Sequence, residues 1–232
     1  TGSRWFQRRV CVSNGQSNDR VNANLNGGAP PCNGGQPIWN LEFEDHFSGN
    51  GSPVNSQWSV YNSSGNRGYG HRRPSAVSLW GGSLNIKASM ENGTIVSGGM
   101  EHSLNQTYGR YEFRVRTDQD YSEGTSGVVL TWPQSEQHPR DGENNIYETL
   151  NYTVDRDPFY TVIHKPFGTY TDHIVHNHNA DASQFQTMTM EWTPDGINIV
   201  REGPGFAGNV EQWFQPETDE DWIPDVAHHI TI

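Results

Sequence analysis

The chain has 232 residues, enough for one sizeable hydrophobic core and within the range of single all-β domains. Its formal net charge of −12, with ten histidines counted as neutral, argues against nucleic acid or an anionic membrane surface as partner and favours a neutral or weakly cationic one. No apolar run reaches the roughly eighteen residues that a bilayer-crossing helix needs.

Aromatic residues make up 11% of a chain whose apolar fraction is only 32%, and the eight Trp include candidates for stacking on the apolar faces of sugar rings. Asn, Gly, Ser and Thr are abundant, whereas Lys87 and Lys165 are the only lysines. That composition predicts an extracellular protein, with any signal peptide already removed ahead of Thr1. Residues 5–12 read as a short strand, and residues 13–37 are too rich in Asn, Gly and Pro for regular structure. A disulfide between Cys11 and Cys32 would close a loop of ~20 residues and contribute about 3 kcal/mol, two free thiols being the alternative. Residues 1–37 are thus expected to form a loop-rich segment packed on a domain spanning 38–232.

Residues 38–47 alternate Ile38, Leu41, Phe43 and Phe47 with polar side chains and predict a strand, as does 58–61. Residues 62–74 form a polar loop carrying Arg67, Tyr69, Arg72 and Arg73, suited to hydrogen-bonding hydroxyls. Residues 76–80 and 83–88, separated by Gly81-Gly82, read as a hairpin with a primed turn. Further strands are predicted over 95–104, over 110–116 with Tyr111, Phe113 and Val115 on one face, and over 127–132, apolar on both faces and therefore central. Strands at 159–164, 186–192 and 197–201 follow, the last two joined by a Thr193-Pro194-Asp195-Gly196 turn. No amphipathic helix longer than three turns is evident, so the fold class is an antiparallel two-sheet β-sandwich.

The stretch Asp141-Gly142-Glu143-Asn144-Asn145-Ile146-Tyr147-Glu148-Thr149 stands out, with two glutamates five positions apart on one strand. Side chains alternate along a strand, so an odd separation puts Glu143 and Glu148 on opposite faces. One extra residue in a β-bulge, at Ile146 or Tyr147, returns them to the same face. Their Cα atoms would then lie ~13 Å apart, and the carboxylates approach only on a concave sheet. Retaining glycosidases need such a pair at roughly 5–5.5 Å; an exposed acidic strand with a chance pair is the competing reading of these residues alone.

Taken with the motifs around it, the stretch resembles glycoside hydrolase family 16. The resemblance runs from Trp39 to about Trp192 and rests on residues 39–47 before Trp58, Ser97-Gly98-Gly99-Met100, residues 108–116, Val129-Leu130-Thr131-Trp132-Pro133 and residues 142–148. It implies a jelly roll with a concave cleft and a secreted, endo-acting retaining glycosidase that cuts internal β-linkages of a polysaccharide, a β-1,3-glucan being the best match. By the same resemblance Glu143 is the nucleophile and Glu148 the acid/base, and the family's central Asp is replaced by Asn145. That replacement removes a like charge, and reduced activity with an acid-shifted optimum is expected. A catalytically impaired carbohydrate-binding protein is the alternative.

Trp132 is placed by resemblance at the cleft, with Trp80, Tyr69, His164, Arg67 and Arg72 as further candidates for lining it. His173, His176 and His178 invite a metal reading, but with no Cys beside them they read as an exposed loop, and no metal ligand is assigned. No cofactor is required; a structural calcium would depend on a long C-terminal strand, whereas this chain ends at His229-Ile230-Thr231-Ile232. The last strand is therefore expected to be missing or replaced by residues 5–12. A monomer acting on a polysaccharide, with no nucleic acid and no membrane, completes the expectation.

Overall fold

A computed structural model describes residues 39–121, 124–149, 154–218 and 220–232. The strand expected at residues 5–12 and the Cys11 and Cys32 pair lie outside the described residues. With strands numbered in chain order, the largest sheet runs β1 (Trp58–Val60), β8 (Met100–His102), β17 (His228–Thr231), β10 (Val128–Pro133), β11 (Glu143–Thr149), β12 (Phe159–His164), β13 (His173–His178). A second sheet runs β16 (Val210–Pro216), β15 (Gly196–Glu202), β14 (Gln186–Thr193), β9 (Gly109–Val115), and every neighbouring pair in both sheets is antiparallel. These two sheets form the sandwich.

Period-two patterning explains their contact. On β9 the buried residues are Tyr111, Phe113 and Val115, as the alternation predicts. Tyr111, Met190, Ile199 and Trp213 form one register row across the second sheet, and Phe113, Met188 and Arg201 the next. The cleft sheet answers with Trp58, Met100, Val129, Ile146, Tyr147, Phe159, Ile163 and Ile230, all in the same core. β10 is central, between β17 and β11, as its double-sided apolarity predicts.

Two smaller layers flank the sandwich. One orders as β2 (Ser63–Ser64), β3 (His71–Arg72), β7 (Thr94–Ser97), β6 (Ser89–Glu91), with β3 and β7 parallel. The other is the predicted hairpin, β4 (Val77–Leu79) and β5 (Leu84–Ile86), whose turn glycines have φ of 61° at Gly81 and 67° at Gly82.

Two expectations change. Residues 39–50 form no strand: the Asp45 carboxylate accepts the Phe47 N–H at 2.6 Å and the Trp58 indole N–H at 3.0 Å, and Phe47 adopts φ 48°. Phe43 and Phe47 are nevertheless buried against Trp58, so their apolar anchoring survives without strand pairing. The strand expected over 95–104 divides at Gly98-Gly99 into β7 and β8, which belong to different sheets. A Cβ at Gly98 would stand 2.3 Å from Val77 Cγ2, so the crossing between sheets requires glycine there. The C-terminal residues supply β17, paired with β10 on one side and β8 on the other, while the expected replacement strand at 5–12 lies outside the described residues.

The bulge sits at the expected position. Leu130 pairs with Asn145 and Val129 with Tyr147, leaving Ile146 unmatched on that side; on the other, Asn145 pairs with Val162 and Glu148 with Tyr160. Ile146 and Tyr147 are both fully buried in the core. Ile146→Ala should therefore lower the unfolding free energy by about 2–5 kcal/mol, read as a fall in the urea midpoint at unchanged slope.

Candidate active site

Because β11 carries two consecutive core residues at its bulge, Glu143, Asn145 and Glu148 share the face opposite the core. Asn145 Nδ2 donates to Glu148 Oε2 at 3.0 Å and also reaches the Glu143 carboxyl, which lies close enough to Glu148 to feel its charge. Asn145 Oδ1 is buried without a hydrogen-bond partner. Register places Val128, Leu130 and Trp132 of β10 on this face, with Tyr160, Val162 and His164 of β12 beyond it. Glu143, His164 and His173 are direct neighbours in one row across β11, β12 and β13.

The loop before β11 is built to hold this row. Arg140 donates to both oxygens of Asp141, at 2.7 and 2.6 Å, and the Ser135 hydroxyl donates to the same carboxylate. Gly142 turns the chain into the strand at φ 73°, where a Cβ would meet Pro224 Cγ at 2.7 Å. The loop thereby presents His138, whose ring stacks on Trp132 at 5.3 Å and meets His164 edge-on at 5.1 Å. Its Nε2 stands 3.3 Å from Glu143 Oε2.

On the core side of the same strands runs a polar chain. Asn144 Nδ2 donates to Thr131 Oγ1 at 3.1 Å, Thr131 Oγ1 lies 3.1 Å from His228 Nδ1, and His228 Nε2 lies 3.0 Å from the Asp141 carbonyl oxygen. A carbonyl can only accept, so Nε2 carries the proton and the Thr131 hydroxyl donates to Nδ1. The neutral imidazole therefore ties β10, β11 and β17 together.

Burial governs the ionisation of the site. It pushes Glu143 up to about 7, with the Glu148 charge adding to the rise and the Asn145 hydrogen bond opposing it. Glu148 is also raised by burial, against the hydrogen bond from Asn145 and the nearby His173. Burial pulls His164 down to about 4, the charges of His138 and His173 adding to it, and lowers His138. At both carboxyls burial is the largest effect, and the hydrogen bond from Asn145 opposes it. A buried and a half-buried carboxyl beside aromatic rings, each with its proton held more tightly than in water, are equipped for acid/base and nucleophilic work.

No family model and no curated protein sequence matches this chain. Solved structures do match. SCLam, a non-specific endo-β-1,3(4)-glucanase from family GH16, superposes with a TM-score of 0.63 at 19% identity, over 81% of this chain and 77% of its own. The laminarinase of Flavobacterium sp. UMI-01 gives 0.65 at 17% identity, over 82% and 85%. An immunostimulatory antigen and pseudo β-1,3-glucanase of Mycobacterium tuberculosis gives 0.62 at 18%, over 82% and 85%. The fold is that of glycoside hydrolase family 16. At these identities the likeness carries the family 16 fold and leaves activity to be argued from the residues.

Within this family 16 jelly roll the residues expected at the cleft separate into two groups. Glu143, Asn145, Glu148, Trp132 and His164 come together on one face. Trp80, at 70% exposure, lies beyond the end of β4, and Tyr69, at 82%, and Arg67 lie on the loop after β2; no described contact joins them to the carboxylates. Arg72 lies between: it packs over the Tyr61 ring at 5.6 Å, and the Tyr61 hydroxyl meets Thr231 Oγ1 of the cleft sheet at 3.3 Å. Arg72 also donates to the Ser64 carbonyl at 3.1 Å, which fixes the loop.

His173, His176 and His178 belong to strand β13 rather than to a loop, and alternation sends them to two faces. His173 joins the cleft row, whereas His178 stacks on Phe159 and His176 stacks on Trp213. Both His/carboxylate clusters among the described residues contain two histidines, unlike the all-oxygen set of calcium, so the side chains give no support to a calcium site. His138 escaped sequence reasoning because its place depends on loop closure by Asp141, although its Trp132-Pro133…His138-Pro139 setting marks it as constrained.

The buried neutral histidines set an acid limit on stability. His164, His178 and His228 are each pulled down to about 4 from an ordinary 6.5, chiefly by burial. Between those values the unfolded chain binds protons that the folded chain refuses, so stability falls as pH drops from 6.5 towards 4. Glu143, raised to about 7, acts oppositely and costs stability as pH rises from its ordinary range through 7. Urea melts should show the midpoint falling from pH 6.5 to 4, on the order of 1–3 kcal/mol per buried histidine. His228→Asn should flatten part of that slope while lowering the midpoint at neutral pH.

Proposed function

We propose that this protein is a secreted endo-β-glucanase of retaining mechanism, acting on internal linkages of a β-1,3-glucan. The observation that carries the reading is the bulged strand, with buried Glu143 and half-buried Glu148 on one face and Asn145 between them. Glu143 attacks the anomeric carbon while Glu148 gives its proton to the departing glycosidic oxygen; water, deprotonated by Glu148, then releases the glycosyl ester. Trp132 offers a ring beside Glu143 for a sugar to stack on, and the net charge of −12 favours a neutral glucan over a sulfated or uronic polymer. The glucanases that share the fold support this substrate class.

Asn145 limits the rate through proton placement. The reaction needs Glu143 ionised and Glu148 protonated. In the free cleft burial weighs more on Glu143, and the amide N–H of Asn145, donated to Glu148 Oε2, favours the ionised form of the residue that must act as acid. An Asp at this position could carry a proton and exchange hydrogen-bond roles as charge moves; the amide can only donate or accept in a fixed sense. A carbohydrate-binding protein without turnover is the second reading, favoured by Asn145 and by the pseudo β-1,3-glucanase among the structures of the same fold.

Release of reducing ends from laminarin, mixed-linkage glucan and agarose separates these readings. The chain should produce new ends from laminarin, Asn145→Asp should produce them faster, and Glu148→Gln should slow them about 10²–10⁴-fold. Binding without new ends, for the chain and for Asn145→Asp alike, sinks the enzyme. Because Glu143 must lose its proton, kcat/KM should fall as pH drops below about 7, and a profile flat from pH 7 to 5 would contradict the assignment of Glu143 as nucleophile.

A further inference from the structure

The cleft contains an arrangement that glycosidic chemistry does not use. His138 Nε2 and His164 Nδ1 are buried atoms without a hydrogen-bond partner, and the His138 side chain is only 10% exposed. One ring nitrogen of His138, one of His164 and a carboxylate oxygen of Glu143 all lie within 4.8 Å of one another. One of these separations, His138 Nε2 to Glu143 Oε2, is 3.3 Å. A tetrahedral ion with bonds of about 2.0–2.1 Å keeps its ligand atoms about 3.3–3.4 Å apart, so one edge of that polyhedron already exists.

The three side chains are also held in place. The His138 ring lies between Trp132, His164 and Tyr170, at centroid distances of 5.3, 5.1 and 5.3 Å. Glu143 and His164 are direct cross-strand partners, so their relative position is set by the β11 and β12 backbones. Among the described contacts no Lys or Arg pairs with Glu143; the groups that reach its carboxyl are the Asn145 amide and the His138 ring. Two imidazoles and one carboxylate, with a fourth position open, form the donor set that zinc takes in open sites.

The other His/carboxylate cluster shares one feature, a buried His178 Nδ1 without a hydrogen-bond partner, but its carboxylate is already paired. There His176 Nε2 already pairs with Glu211 Oε1 at 2.6 Å, Arg201 donates to Glu211 Oε2 at 3.1 Å, and His178 Nε2 is 2.9 Å from Thr161 Oγ1. An ion would have to displace a buried guanidinium. The Glu211 carboxylate is thus neutralised without one.

We propose that His138, Glu143 and His164 bind one divalent ion of the zinc class, and that the ion blocks the cleft by occupying the Glu143 carboxylate. Binding stands on the three ligands alone; only the blocking rests on the glycosidase reading.

The test titrates metal-free protein with Co(II), following the visible absorption of a tetrahedral site, and with Zn(II) by calorimetry. One equivalent should bind, at least about tenfold more weakly to His138→Ala and to His164→Gln and unchanged to His176→Ala. Circular dichroism checks that each variant folds, and Glu143→Gln, which keeps the side-chain volume, replaces any that does not. Unchanged affinity in the folded His138 and His164 variants, loss of the equivalent in His176→Ala, or no binding at about millimolar ion overturns the site. Reducing-end release from laminarin, with chelator and then with zinc, tests the blocking separately. Loss of release on adding zinc is expected, and full release by zinc-loaded protein overturns the blocking while leaving the measured binding in place. Absence of release even with chelator counts against the glycosidase reading and against the blocking that rests on it, and the cobalt titration still decides the site.

Discussion

Everything at the cleft depends on two consecutive side chains of β11 entering the core. Alternation allows a strand one core residue in every two, yet Ile146 and Tyr147 are both fully buried. Their burial stabilises the bulge that alternation would otherwise oppose, and the bulge turns an odd spacing of glutamates into a pair on one face. Tyr147 adds a hydrogen bond from its hydroxyl to Thr117 Oγ1 at 3.0 Å, so its depth is satisfied as well as apolar. Packing on one side of the sheet thus sets the chemistry on the other.

The same strand is held at both ends by polar groups that stay buried because they are paired. At its start, the Asp141 carboxylate is engaged by Arg140 and Ser135 while its carbonyl accepts from His228. At its end, Thr149 receives the Gly127 N–H at 2.9 Å and the Arg156 guanidinium at 3.2 Å. Neither anchor carries a net unpaired charge. The carboxyls between them sit on a strand anchored at both ends, and burial there makes both hold their protons more tightly than in water.

Much of this was legible from residues alone. Period-two alternation located β9, β10, β12, β14 and β15, and the parity of Glu143 and Glu148 located the bulge, because strand geometry converts sequence position directly into a face. What stayed hidden involves partners distant in sequence. β13 and β17 are rich in His and short of apolar residues, so their strand character comes from pairing rather than from composition. Residues 39–50 carried a convincing apolar pattern but follow Asp45 into an irregular path. Likewise Trp80 and Tyr69 have the chemistry of sugar binders, and the structure places both exposed in loops outside the strands that carry the carboxyls.

The position of β17 has a consequence for how the molecule assembles. This strand separates β8 from β10, and its partners on β10 lie about a hundred residues earlier in the chain. Without residues 228–231 the cleft sheet would be two halves with facing open edges, β1 and β8 on one side and β10 to β13 on the other. The cleft face is thus continuous only through one long-range pairing, made in the middle of the sheet beside the strand that bears Trp132.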